Sequence, residues 1–361
     1  MNAMASRRIA RMTWAALIVM GSVATTPAAP PDRVKLVTGV EIQGNIIDAT
    51  PNAIDIEVRN ETKKYPIETI REIRFGDEPE ELRSARTLLL RKDGARALDE
   101  LNKLEPVDLE GLEKEILVEL AFVRAAATTR KALATAEGLP AGQKALNDFA
   151  ATYPRTHHLY AVQELLGDVL ARQGKFAEAA AAYRELDKGP PAIKVRAATL
   201  KAGLLSEQEK YPEAAREYEL AAKVAAAIEG DTGKRAKLGA ELGRARCLTR
   251  LGKPADAILV ATGILEEADA DDSETLARVF AVLGDAQRAA GDRDRDALIS
   301  FLTVGLVHNT VPEQTAEALF NLSELWEKTK NPERARKARQ DLETSYPDSP
   351  WTKKLQAVKA S

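Results

Sequence analysis

One cysteine, three histidines and an aromatic content of 5% are the scarcities of this 361-residue chain. A lone cysteine, Cys247, excludes an internal disulfide and any metal site built on cysteine pairs. It also excludes a lipoprotein anchor, because no cysteine follows the apolar run near the N-terminus. Cys247 shares helical spacing with Leu242, Ala245 and Leu248, which is the place of a small buried hydrophobe. His157 and His158 are adjacent, so on a helix they point apart and cannot chelate together, and His308 stands alone. No metal and no cofactor is therefore expected. Charge of one sign is also missing: the formal net charge is -3. With no basic surface to meet a phosphate backbone, nucleic acid is disfavoured as a partner.

Catalytic signatures are absent too. "GDTGKR" lacks the four-residue spacing of a phosphate-binding loop and has Arg235 where a hydroxyl belongs, so it reads as a loop. "DRDRDALISFLT" begins with the alternating acids of a calcium loop, but Ala297 and Thr303 stand where the turn glycine and closing glutamate belong. It reads as a charged turn between helices. Without a cluster of acids, bases or nucleophiles, the chain is not expected to be an enzyme.

What is present begins with Arg7, Arg8 and Arg11 ahead of an apolar run from Met12 to Val23, followed by small residues. That is the layout of a secretory leader, assigned to residues 1–24, with a linker over 25–32. The run is too short to cross a bilayer, so export, to the periplasm, is expected, with no stable membrane span after the leader is removed. An uncleaved leader anchored in the inner membrane is the alternative. Over residues 33–76 the periodicity is two, with Ile54, Ile56 and Val58 alternating with Asp55 and Glu57. Breaks at Thr38-Gly39, Thr50-Pro51-Asn52 and Asn60-Glu61 divide this segment into about five strands, and Gly44 allows a sharp bend. A small all-β SH3/Sm-like barrel is the expectation.

From residue 79 to 361 the spacing is three and four, and one frame recurs, most clearly over 157–347. An alanine follows a small residue by twelve positions across a break, and a large residue comes four later. Ala179 has Gly167 and Tyr183; Ala214 has Ala202 and Tyr218; Ala257 has Ala245; Ala335 has Ser323. Ala97 takes Ala85 and Leu101, Ala297 takes Gly284 and Phe301 if its turn holds one extra residue, and Ala145 has Phe149 but Leu133 in the small position. Small residues let two antiparallel helices approach closely, and each pair then buries its remaining apolar face on the next. The fold class is thus mainly α, a solenoid of helix pairs behind a β unit.

Leu166, Gly167, Gly174, Ala179, Tyr183 and Pro191 fall at signature positions, and the chain resembles the tetratricopeptide repeat family. The Tyr-Pro endings "FAATYPRTHHLYA" and "LETSYPDSPW" are similar to the repeats of exported bacterial proteins such as the Tol-Pal accessory protein and the β-barrel assembly lipoprotein. The resemblance implies a concave groove lined by first helices, with Glu164, Asp168, Arg172, Arg246, Arg250, Asp285, Arg288, Phe320 and Glu324 facing it. It implies a protein or peptide partner, and so an exported non-catalytic scaffold. A barrel that binds glycan or a membrane surface, with repeats serving oligomerisation, is the other reading.

The leader is expected to be cut after Ala24 or Ala28. Intact mass of the exported protein measures this, and a mature form that retains Met1 rejects the assignment.

Overall fold

The computed structural model describes residues 30–360. The leader, its cut sites and most of the linker lie outside the described residues. Five antiparallel strands come first: β1 (Asp32–Leu36), β2 (Glu41–Ala49), β3 (Ala53–Val58), β4 (Glu61–Pro66) and β5 (Ile70–Arg74). The alternation in sequence puts Ile54 and Ile56 fully inside, with Val34 and Ile46. β2 serves two neighbours, its first half pairing with β1 and its second half with β3. Gly44 sits at the change of partner, where a side chain would stand 2.2 Å from the Glu57 carbonyl oxygen. Asp32 fastens the unit, its carboxylate accepting from the backbone N–H groups of Ile46 at 2.8 Å and Gly76 at 2.9 Å.

The sheet corrects the expected barrel in one respect. Its strand order is β4-β3-β2-β1-β5, and β4 does not pair with β5, so it stays open. The cause is what covers its apolar face: Val34, Ile46, Ile54 and Ile56 share one core with Leu82, Ala85, Leu101, Ile116 and Val123 of the helices that follow. Helices supply the second layer that a closed barrel would take from its own strands.

Those helices form seven pairs among the described residues: α1 (Glu80–Leu90) with α2 (Gly94–Leu101), α3 (Lys114–Thr135) with α4 (Leu139–Thr152), and α5 (Leu159–Arg172) with α6 (Phe176–Glu185). Next come α7 (Pro191–Glu207) with α8 (Tyr211–Ala225), and α9 (Gly230–Arg250) with α10 (Pro254–Glu267). The last pairs are α11 (Ser273–Ala290) with α12 (Asp294–Leu306), and α13 (Pro312–Lys328) with α14 (Pro332–Ser345). A single helix, α15 (Pro350–Ala360), ends the stack. The "GDTGKR" stretch opens α9 rather than forming a loop, which is how the long spacing before Ala257 is taken up.

The small-residue frame is the contact that closes each pair. Ala85, Ala97, Ala179, Ala202, Ala214, Ala245, Ala257, Ala297, Ser323 and Ala335 are all fully buried. At Gly167 a side chain would stand 2.1 Å from the Tyr183 ring, so the tyrosine lies flat across the backbone of the facing helix. The second pair departs from the frame: Ala145 is only half-buried, and the close contact belongs to Gly142, where an added Cβ would lie 3.1 Å from Thr129 Cα. A β-branched residue and a glycine there replace the usual alanine pair, three residues earlier.

Five of the seven breaks between paired helices share one geometry. Lys92, Gly174, Glu209, Gly252 and Lys330 all take positive φ. The next residue's N–H then reaches back to a carbonyl five positions before it, as in Lys175 to Leu170 and Lys210 to Leu205, both at 2.9 Å. This left-handed cap satisfies carbonyls that the helix end leaves open and reverses the chain within about two residues.

Replacing Ala179 by glutamate puts a charge into a fully buried contact, with an expected loss on the order of 3–5 kcal/mol. Thermal unfolding of Ala179→Glu beside the exposed change Lys175→Glu checks this, and equal midpoints for the two would mean that the frame is not what holds the pair together.

Candidate binding groove

The first helices of successive pairs stand side by side and turn one face inward. At the C-terminal half, α9 contributes Arg246 and Arg250, α11 contributes Asp285 and Arg288, and α13 contributes Glu313, Glu317 and Asn321. With Trp351 and Lys354 of α15 they line a cavity of about 690 Å³. The four sequence-predicted residues Arg246, Arg250, Asp285 and Arg288 are therefore brought together. Arg288 donates to Asn321 Oδ1 at 2.5 Å and to Glu324 Oε2 at 2.6 Å, which ties Glu324 to the same site. Arg246 reaches past α11 altogether, its Nη2 lying 3.7 Å from Glu317 Oε2 on α13.

The cations of the cavity are not all spoken for. Arg250 is exposed and makes no hydrogen bond among the described residues, although its charge favours the ionised Asp285 carboxyl. Lys354 packs its ammonium over the rings of Phe320 at 4.5 Å and Trp351 at 5.0 Å, with no carboxylate partner among the described residues. On the floor the carboxyls of Asp285 and Glu317 lie close enough for each to act on the other's charge. Burial pushes the Glu317 carboxyl up to about 7, against the pull of Arg246, and the neighbouring carboxyl of Asp285 adds to the rise. Burial raises Asp285 as well. Arg246, Arg250, Arg288 and Lys354 thus meet the carboxyls of Asp285, Glu313, Glu317 and, through Arg288, Glu324.

The other predicted positions have different fates. Asp168 and Arg172 line a second cavity of about 460 Å³ with Phe176, Tyr183 and Glu207. Asp168 accepts from the Tyr183 hydroxyl at 2.9 Å and faces Arg130 at 3.8 Å, so it is held inside the stack. Glu164 is taken up by Arg196 of the next pair. Phe320 corrects the prediction: it is 1% exposed, because α15 packs over it with Trp351 at a ring distance of 5.3 Å. The inward row of α13 is instead Glu313, Glu317 and Asn321, one helical turn apart each. Trp351 and Lys354 escaped the sequence because α15 has no partner helix and so carries no repeat frame.

The histidines also differ from expectation. His157 lies in the turn before α5 and His158 caps that helix, so the helical divergence of neighbouring side chains does not apply. Their rings lie 3.8 Å apart, and both turn toward Glu119 of α3. The one sequence signal for this cluster is an acid inside the apolar face of α3, between Ile116 and Val123.

A carboxyl whose folded pKa is raised contributes stability in full below its unfolded value near 4.5, and loses it as pH rises through about 7. Glu317→Gln, which cannot ionise, is thus expected to gain thermal stability relative to the parent as pH rises over that range. Parallel melting profiles of the two proteins from acid to neutral pH would reject this account of the groove floor.

No protein-family model matches the chain, and no curated protein matches it in sequence. Solved structures match it in fold. A Rap protein complexed with Competence and Sporulation Factor has a TM-score of 0.52 and 17% identity, covering 78% of this chain and 79% of that one. The apo form of RapI has a TM-score of 0.51 and 12% identity, covering 78% and 80%. A tetratricopeptide repeat protein from Parabacteroides merdae ATCC 43184 has a TM-score of 0.50 and 13% identity, covering 73% and 91%. At these identities the likeness is one of architecture: the chain has a tetratricopeptide-type helical solenoid preceded by an open five-stranded sheet.

Proposed function

We propose that the chain is an exported, non-catalytic scaffold that binds an acidic segment of another protein or peptide in the concave groove lined by α9, α11, α13 and α15. The observation that carries this reading is the cavity of about 690 Å³ in which Arg250 and Lys354, neither hydrogen-bonded to a carboxylate among the described residues, stand beside Trp351. Guanidinium and ammonium groups on an aromatic wall suit carboxylates and backbone carbonyls of a peptide, and unpaired cations at a groove are disposed to take them. A Rap protein of similar fold has been solved complexed with Competence and Sporulation Factor, which supports a binding role for such a solenoid. Export is supported by the three arginines and short apolar run at the N-terminus. No helix among the described residues is long and apolar enough to cross a membrane.

A photo-crosslinking residue at position 250 in the native envelope is expected to capture the partner, whereas one at Lys223, on the outer surface of α8, is not. Titration of the captured partner then gives the energetics. Arg250→Glu with Lys354→Glu should weaken binding by about 1–3 kcal/mol without loss of helicity, and Lys223→Glu should leave it unchanged. Equal affinities for all three proteins would move the binding surface elsewhere, with the open sheet as the next place to look.

A further inference from the structure

Away from the groove, a second constellation lies where the sheet meets the solenoid. Glu119 is buried in α3 with its two oxygens turned to different neighbours. Oε1 accepts from Arg86 Nε at 2.9 Å, and the same guanidinium donates to Glu78 at 2.7 Å, where Arg83 also donates at 3.3 Å. Two arginines therefore balance the two glutamates and fix the plane of the Glu119 carboxylate. Oε2 faces the histidines, with His158 Nε2 at 2.7 Å and His157 Nε2 at 3.7 Å. Phe122 stacks on the His158 ring at 3.6 Å and holds its orientation.

A hydrogen-bonded network around a buried carboxylate accounts for Arg86 and His158. It leaves His157 unexplained. That imidazole is 9% exposed, its Nδ1 is buried with no hydrogen-bond partner among the described residues, and its Nε2 stands too far from Glu119 for a hydrogen bond. Burying an imidazole without partners is costly, and setting it against a second imidazole adds no compensation. The three donor atoms lie within 4.8 Å of one another. Two ligands of a tetrahedral ion, at about 2.0–2.1 Å each, stand about 3.3 Å apart, so small movements of two side chains close the set. His157 also borders a cavity of about 330 Å³ between the sheet, α3 and the turn before α5, which gives that imidazole room to move.

From this geometry we infer that His157, His158 and Glu119 Oε2 form a binding site for one divalent transition-metal ion, with Zn²⁺ the best match. Two imidazoles and one carboxylate favour a borderline ion such as Zn²⁺ over Ca²⁺ or Mg²⁺, which prefer oxygen ligands. On binding, His158 ligates through Nε2 as the tautomer that carries its proton on Nδ1, the Nε2 proton passing there by way of solvent, and its contact with Glu119 becomes a shared metal edge, while Arg86 keeps the other oxygen as an orienting partner. The ion would join α3 to the turn before α5 beside the sheet. The site is independent of the groove, so partner binding and metal binding are tested separately.

The full chain, freed of metal by a chelator, is titrated with ZnCl2 alone by calorimetry and with Co²⁺ alone by visible absorption. One ion per chain and a four-coordinate cobalt spectrum are expected. His157→Ala and His158→Ala should each weaken Zn²⁺ binding at least about tenfold, while His308→Ala, distant from the cluster, should not. A second measurement needs no variant: Zn²⁺ should shield the peptide containing residues 157 and 158 of the parent from diethylpyrocarbonate, read by mass spectrometry. Absence of stoichiometric binding, undiminished binding in both variants, or unchanged modification of that peptide would each overturn the proposal.

Discussion

Everything in this molecule rests on how closely two antiparallel helices can approach. The contact is made by alanines, glycines and a serine that have almost no side chain to order, so the cost of closing each pair in conformational entropy is small. The gain comes from what closeness permits. Tyr183 spreads across the Gly167 backbone and still reaches Asp168 with its hydroxyl, so one side chain fills the pair and touches the groove wall. Each pair then offers its outer apolar row to the next, and the first helices come into line as a single inner face. The binding groove is a by-product of packing: no residue in it is needed to make it concave.

The sheet belongs to the same logic and not to a separate one. Its apolar face is covered by α1, α2 and α3, and Phe75 carries the shared core across the joint. Further along, the Tyr160 hydroxyl donates to Asn52 Oδ1 at 3.0 Å, joining the β2–β3 turn to α5. The open strand order follows from this cover, since helices already remove the apolar surface that would otherwise drive the strands to close. It also explains why the Glu119 cluster is buried at all: it occupies the one place where sheet, helix and inter-repeat turn meet.

Much of this was legible in the sequence because the signals are local. Period-two alternation placed Ile54 and Ile56, and the spacing of twelve placed nearly every pair contact. Residues were misread where a tertiary partner, not local pattern, decides. Phe320 has the periodicity of a groove position and is buried only because α15 comes back over it. His157 and His158 were judged by helical geometry, but the turn after Pro154 gives them a different backbone. Ala145 shows the limit of a motif: Thr129 and Gly142 make the same close approach with other residue types. Glu317 and Asn321 went unseen since the frame that found Arg246 and Asp285 is offset on α13.

The bond from Arg246 to Glu317 has a mechanical meaning. A stack in which each unit touches only its neighbours behaves as a coil spring, compliant along its axis because small changes in angle accumulate from turn to turn. Arg246 and Glu317 belong to units that are not neighbours, so their contact acts as a latch across two turns of the coil. While it holds, it biases the pitch of the C-terminal coil, weakly because Arg246 is half exposed. An occupant whose own carboxylate replaced Glu317 at Arg246 would release the latch, and the recovered freedom of the coil would lower the cost of its entry.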